Sequence, residues 1–188
     1  MVRKLPRDFY DRPALAVARD LLGKTLVLEK DGARRAGRIV ECEAYVSQKD
    51  LACHASKGRT PRTEVMFGPP GHAYVYLVYG MHHCFNAVTG PPGLAAAVLV
   101  RALEPLEGFA SGARTDGPGR LCRALGLTRA LDRADLCGNT LFIADAPRVP
   151  RGAVRRGPRI GVDYAGAWAA RPYRFWVSES RYLSRPER

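Results

Sequence analysis

The residues Ile39-Val40-Glu41-Cys42-Glu43-Ala44-Tyr45-Val46 hold two acids and an aromatic at alternate positions. In a strand, successive side chains point to opposite faces. Val40, Cys42, Ala44 and Val46 then form a small apolar face suited to a core, and Glu41, Glu43 and Tyr45 share the other. Two carboxyl groups beside an aromatic can supply a general base whose pKa is set by burial and neighbours. A solvated face, with both glutamates paired to arginines, fits the same pattern.

A second group of reactive types lies in Cys53-His54-Ala55-Ser56-Lys57-Gly58-Arg59-Thr60-Pro61-Arg62. Backbone N–H groups and guanidinium forks in a loop of this composition suit phosphate contact, and a plain solvent loop has the same composition. Cys53 beside His54 does not make a thiol–imidazole pair, because adjacent side chains on an extended segment point apart. Further on, Tyr74 and Tyr76 share a strand face, and Tyr79 precedes Gly80 at a chain reversal. Aromatic platforms of this kind stack bases at about 1–3 kcal/mol each, although tyrosine also favours strands for packing alone. His72, His82 and His83 lack the spacing of a metal-binding motif, and no phosphate-binding glycine motif occurs. No metal and no cofactor are expected.

These groups must be carried by a modest set of elements. A helix is predicted from Pro13 through Leu22, with Ala14, Val17, Ala18 and Leu21 at helical spacing and Gly23 as its end. Strands are predicted over 24–30 and 36–46, joined by the tight turn Asp31-Gly32. Residues 48–71 read as a long polar loop, which inside a compact domain is usually functional or disordered. Strands follow at 73–79, 84–88 and 94–103, then a helix at 119–127 and short strands at 140–144 and 174–177. The expected architecture is α+β: a single compact domain, residues 1–188, with a curved, mostly antiparallel sheet flanked by helices.

Charge narrows the partners. Thirty basic residues against eighteen acidic ones give a formal net charge of +12. Twenty-five of the basic residues are arginine, whose planar fork grips phosphate bidentately. Net charge speaks to partners rather than fold and points to nucleic acid first. A GC-rich coding bias gives the same excess of arginine. Residues 110–188 hold fifteen basic and seven acidic residues, so the charge leans toward the C-terminal part. The five cysteines, Cys42, Cys53, Cys84, Cys122 and Cys137, are odd in number and widely spaced, which suggests buried thiols rather than disulfides. No apolar run is long enough for a membrane span, and residues 1–6 lack the apolar core of a secretory signal. A cytoplasmic, nucleoid-associated protein is expected. On pattern alone, a DNA-processing enzyme, a nonenzymatic nucleic-acid binder and an enzyme for small anionic substrates all remain open.

Several motifs taken in order are more specific. They are Glu41-Cys42-Glu43-Ala44-Tyr45, His54, Thr60-Pro61-Arg62, Tyr74-Val75-Tyr76-Leu77-Val78-Tyr79-Gly80-Met81, Asn86, and Val98 through Pro105. Gly117-Pro118-Gly119-Arg120-Leu121-Cys122 and Arg171-Pro172-Tyr173-Arg174-Phe175 complete the series. Together the sequence closely resembles the alkyladenine (3-methyladenine) DNA glycosylase family, from Phe9 to the C-terminus. The resemblance implies a base-flipping enzyme of base-excision repair. It would extrude an alkylated or deaminated purine from double-stranded DNA and hydrolyse its N-glycosidic bond. It implies Glu43 as the base that activates water and Arg101 as the residue that helps position it. Tyr45, His54 and Tyr76 would line the base pocket, Asn86 would crowd the 2-amino group of guanine, and Tyr79 would wedge into the stack. Arg59, Arg62, Met81 and Arg120 are candidate backbone contacts. Glu41 is assigned a structural pairing role. No lysine matches a Schiff-base position, so no strand-nicking step is expected, and a monomer is expected. The short 109–116 segment departs from larger members and resembles a compact bacterial form, and His82 stands after Met81 where an aromatic is common in the family.

Overall fold

The computed structural model describes residues 2–185. Three helices, α1 (Arg7–Tyr10), α2 (Ala14–Leu21) and α3 (Pro118–Leu125), accompany one sheet of eight strands. The strands are β1 (Thr25–Lys30), β2 (Ala33–Tyr45), β3 (Ala73–Val78), β4 (His82–Thr89), β5 (Ala96–Glu107), β6 (Leu141–Ala144), β7 (Val154–Gly157) and β8 (Arg174–Val177). The spatial order is β3-β4-β5-β2-β1-β6, and every pairing is antiparallel. β2 is long enough to use one edge twice. Residues 33–38 pair with β1, and Glu41–Glu43 pair with β8, which in turn pairs with β7. The result is the α+β class with a curled antiparallel sheet.

The core lies on one face of that sheet. α2 buries Ala14, Val17, Ala18 and Leu21, one stripe at spacings of three and four, against the middle strands. α3 adds Leu121, Cys122 and Leu125 from the other end. The first hairpin closes through Asp31 and Gly32, both with positive φ, which a type I′ turn requires. Cys42, Cys53, Cys84 and Cys122 are buried as free thiols and Cys137 is half-buried. Among the described residues no helix is long and apolar enough to cross a membrane, and no three His, Cys, Asp or Glu side chains gather as metal ligands.

Two features differ from the expected pattern. Val40 leaves the face of Cys42 and Ala44 and packs instead with Ala102 and Leu183. The cause is two adjacent register shifts out of the three between β2 and β5. Ile39 opposes Leu103, Glu41 opposes Ala102 and Cys42 opposes Val100, so Val40 on β2 and Arg101 on β5 have no opposed partner. Each is a bulge, a device that re-aims side chains. Residues 48–71 are also less open than a polar loop. They form two 3-10 turns, His54–Lys57 and Glu64–Phe67, and bury Ala52, Cys53, Ala55, Val65 and Met66. Much of this segment packs on the sheet face opposite α2, with Tyr74, Val88 and Ala97.

Candidate active site

The bulges bring β2 and β5 into a shared constellation on the face away from α2. Beyond Val40, Glu41 and Glu43 point to this face, and Arg101 reaches between them. Both carboxyl groups are fully buried, and Arg101 is 8% exposed. Arg101 Nε lies 3.3 Å from Glu41 Oε1, and its Nη1 lies 3.2 Å from Glu43 Oε1. Burial works against the guanidinium charge, but Glu43 and then Glu41 outweigh it and raise the Arg101 pKa further.

The two glutamates have different surroundings. Glu41 Oε1 also accepts from Arg174 Nη1 at 3.2 Å and from the Ser184 hydroxyl at 2.8 Å, and its Oε2 accepts from the Ser184 backbone N–H at 2.7 Å. Glu43 Oε1 accepts from the Ile160 N–H at 2.8 Å. Among the described residues its Oε2 accepts from the Tyr45 hydroxyl only, at 2.9 Å. A carboxylate oxygen offers two lone-pair sites, so Glu43 Oε2 keeps one for a further donor.

Above Glu43 is a cavity of about 410 Å³. Tyr45, Arg101 and Ile160, the three groups in contact with Glu43, are all part of its wall. His54, Arg62, Tyr76 and Tyr79 line it as well. Tyr74 and Tyr76 project to this face because Ala73 and Val75 take the core side of β3. His54 meets Tyr76 edge to face, with ring centroids 4.6 Å apart, and its Nδ1 lies 2.9 Å from the Tyr74 hydroxyl. Burial, followed by the charges of Arg62 and Lys57, lowers the His54 pKa to about 4. The imidazole is therefore neutral at pH 7. Burial pushes the Tyr45 and Tyr76 phenols up, and Glu43 adds to the rise at Tyr45, so both rings carry neutral hydroxyls. The Arg62 guanidinium lies over the Tyr76 ring at 4.9 Å.

Tyr79 is at the cavity mouth, 89% exposed, with φ of 50°. Gly80 follows at φ 69°, and the pair turns β3 into β4. A bulky residue in the left-handed region is strained, and such strain gathers at functional sites. Of the other sequence candidates, Asn86 is buried behind the cavity rather than in its wall, where its amide donates to the Tyr74 carbonyl at 3.0 Å. Met81 is exposed next to Tyr79. Arg59 binds Glu64 at 2.9 Å and covers the Phe67 ring. Arg120 binds Asp116 at 2.9 Å and lines a neighbouring cleft that also reaches Arg101.

One supporting pair had no signal in the sequence. Arg159 and Asp50 form a buried bidentate bridge, with contacts of 2.5 and 2.9 Å. Arg159 also donates to the Ala44 carbonyl at 2.9 Å and lies over the rings of Tyr45 and Tyr173. It thereby fixes one wall of the cavity, and its chain neighbour Ile160 turns an N–H onto Glu43. Tyr164, which also lines the cavity, was missed as well; its hydroxyl donates to the Ala52 carbonyl.

Known proteins resemble this chain over nearly its whole length. A Myxococcus xanthus protein is 66% identical over 181 residues, covering 96% of this chain and 93% of its own. A Methanocella arvoryzae protein is 54% identical, with 96% of each chain covered. A protein of Legionella pneumophila strain Corby is 48% identical, covering 98% of this chain and all of its own. Each is named as a candidate 3-methyladenine DNA glycosylase. The family model described as methylpurine-DNA glycosylase matches residues 8–181, and the chain belongs to that family of DNA-repair glycosylases.

Proposed function

We propose that the chain excises alkylated and deaminated purines from duplex DNA by hydrolysis, with Glu43 activating the water. The observation that carries this reading is the position of Glu43. It is fully buried directly behind a tyrosine-lined cavity, bonded to three residues of the wall, Tyr45, Arg101 and Ile160. The free acceptor site on Oε2 lets it hold a water and take its proton. Breaking an N-glycosidic bond leaves an oxocarbenium-like sugar, which a nearby carboxylate also stabilises. Arg101 holds the orientation of Glu43. Glu41, saturated by Arg101, Arg174 and Ser184, is an anchor rather than a base.

Tyr79 would enter the base stack as the damaged nucleotide turns out. The base would then lie against Tyr45 and Tyr76, with Asn86 supporting the wall from behind. Arg59, Arg62, Met81 and Arg120 surround the opening or its flank and would meet the DNA strand. The cavity favours N3- and N7-methylated purines. These are cationic and leave as neutral bases without an acid; a tyrosine face attracts a cation by about 0.5–2 kcal/mol, an attraction that Arg62 over Tyr76 and Arg159 over Tyr45 offset. The lining holds no carboxyl group and the His54 imidazole is unprotonated at neutral pH, so neither can protonate a departing neutral base. Hypoxanthine and ethenoadenine need a proton on leaving and should be released more slowly. Among the described residues no lysine lines the cavity, which supports hydrolysis without a strand-nicking step; the chain is proposed to act as a monomer.

The test is base release from duplexes bearing one 7-methylguanine, hypoxanthine or ethenoadenine, with wild type and Glu43→Gln. Wild type should release base and leave an alkali-labile site, and borohydride should trap no covalent complex. Glu43→Gln should bind the same duplex but release base at least 100-fold more slowly. Full activity in Glu43→Gln would refute the assignment.

A further inference from the structure

A second concavity, larger than the Glu43 cavity, is on the reverse face of the sheet, away from the tyrosines. Phe175 of β8 lines it and opposes Cys42, a core-facing residue, whereas the adjacent Trp176 opposes Glu41. The groove is therefore on the α2 side, and the Glu43 cavity on the other. It measures about 590 Å³ and runs between α2, the segment 148–156 and the start of β8.

Its floor is apolar. Leu15, Val149, Val154 and Tyr173 pack on the core from this side and remain only partly covered. Its rim is arginine. Arg148, Arg151, Arg155 and Arg156 fall within nine residues that contain no acid, and Arg19 faces them from α2. The one acid at the groove, Asp20, is already held by Arg12 at 3.0 Å and Arg19 at 3.1 Å. Arg151 and Arg156 are exposed, and no carboxylate among the described residues lies within salt-bridge distance of either. Five guanidinium groups around an apolar floor, with one neutralised acid, form a surface complementary to negative charge carried on an apolar chain.

We infer that this groove docks a short acidic peptide of another protein, seating apolar side chains on Leu15, Val149 and Val154 while its carboxylates meet Arg151 and Arg156. Duplex DNA would satisfy the arginines but has nothing to place on the floor, and a duplex engaged by Tyr79 is on the other face. The concave floor also fits a narrow segment better than a flat lipid surface. Arginine-lined, apolar-floored grooves recognise peptides in this way, with charge setting the encounter rate and apolar anchors setting the lifetime.

The probe is a fluorescein-labelled octapeptide of aspartates interrupted by two leucines, followed by anisotropy with the full-length protein. Binding should occur at micromolar concentration and weaken at least tenfold when Arg151→Glu and Arg156→Glu are combined. It should also weaken at least tenfold when the peptide leucines become serines. Base release by the double variant should match wild type, which verifies that it folds. Leu15→Gln should weaken the peptide without touching the arginine rim. The proposal is overturned if the serine peptide binds as well as the leucine one, since the attraction is then mere charge. It is also overturned if the double variant binds the peptide normally. Equal loss of affinity for undamaged duplex and for peptide would place the groove in the DNA footprint and overturn it too.

Discussion

Arg159 and Asp50 are 109 positions apart, and neither side chain has any exposed area. Replacing Arg159 with Met keeps the length of the stem and removes the charge, leaving the Asp50 carboxylate buried. Asp50 would retain only the backbone N–H groups of Ala52 and, at 3.4 Å, Val46. Breaking one side of a buried pair costs about 3–5 kcal/mol, most of it the penalty of the stranded charge. For a chain of this size that corresponds to a fall in Tm of roughly 6–20 °C. Asp50→Asn alone should cost a similar amount, because it strands the guanidinium instead. The double variant removes both charges, so its loss should be smaller than the sum of the two by at least about 2 kcal/mol. Urea unfolding of the four proteins measures this cycle. Activity should report the same clamp independently. Loss of Arg159 frees the Tyr45 ring and the Ile160 N–H, and slackness near a reacting centre costs roughly 10- to 100-fold in rate. An Arg159→Met protein within about 1 kcal/mol of wild type, or strictly additive losses, would refute the view that this bridge sets the cavity wall.

Two smaller predictions follow from the cavity mouth and its imidazole. Tyr79→Ala should leave stability within about 0.5 kcal/mol of wild type, because the ring is almost fully exposed, and should weaken capture of the extruded nucleotide by about 1–3 kcal/mol; unchanged lesion binding would assign the wedge to another residue. His54 titrates at about 4 when folded and 6.5 when not, so the unfolded chain takes the proton first. Its contribution is intact above pH 6.5 and is lost as pH falls toward 4, by up to about 3 kcal/mol; urea midpoints at pH 7 and pH 4.5 should differ less in His54→Gln than in wild type, and an equal difference would show that the imidazole is not buried neutral.

What could be read ahead of the structure was what a single strand decides for itself. Tyr74 and Tyr76 share a face because alternation is local, and Tyr79-Gly80 reverses the chain because glycine tolerates positive φ. Glu43 beside Tyr45 was legible for the same reason. Val40 was misplaced because its direction depends on the register with β5, which no property of β2 encodes. The 48–71 segment looked open because Cys53, Ala55 and Val65 are scattered among polar residues without a period, yet they find a surface in β3 and β4. Arg159 gave no signal at all. One arginine among twenty-five is distinguished only by the aspartate it meets in the folded chain.

The paired bulges explain how one sheet can be both a core and an acid–base site. Val98, Val100 and Leu103 all belong to the core, and so do Ile39, Cys42 and Ala44. In an uninterrupted strand, Val100 and Leu103 would face opposite ways, as would Ile39 and Cys42. The extra residue in each strand resets the alternation, so both strands keep the core face apolar along their length. The same step places Arg101 on the opposite face, between two acids that are also on that face. A bulge on one strand alone would shift the register and turn its residues to the wrong side of the sheet. With one on each strand, the two offsets cancel and the ladder resumes as Glu43 opposite Leu99. The arginine is thus embedded in the sheet, which gives Glu43 a rigid partner that no flexible loop would supply.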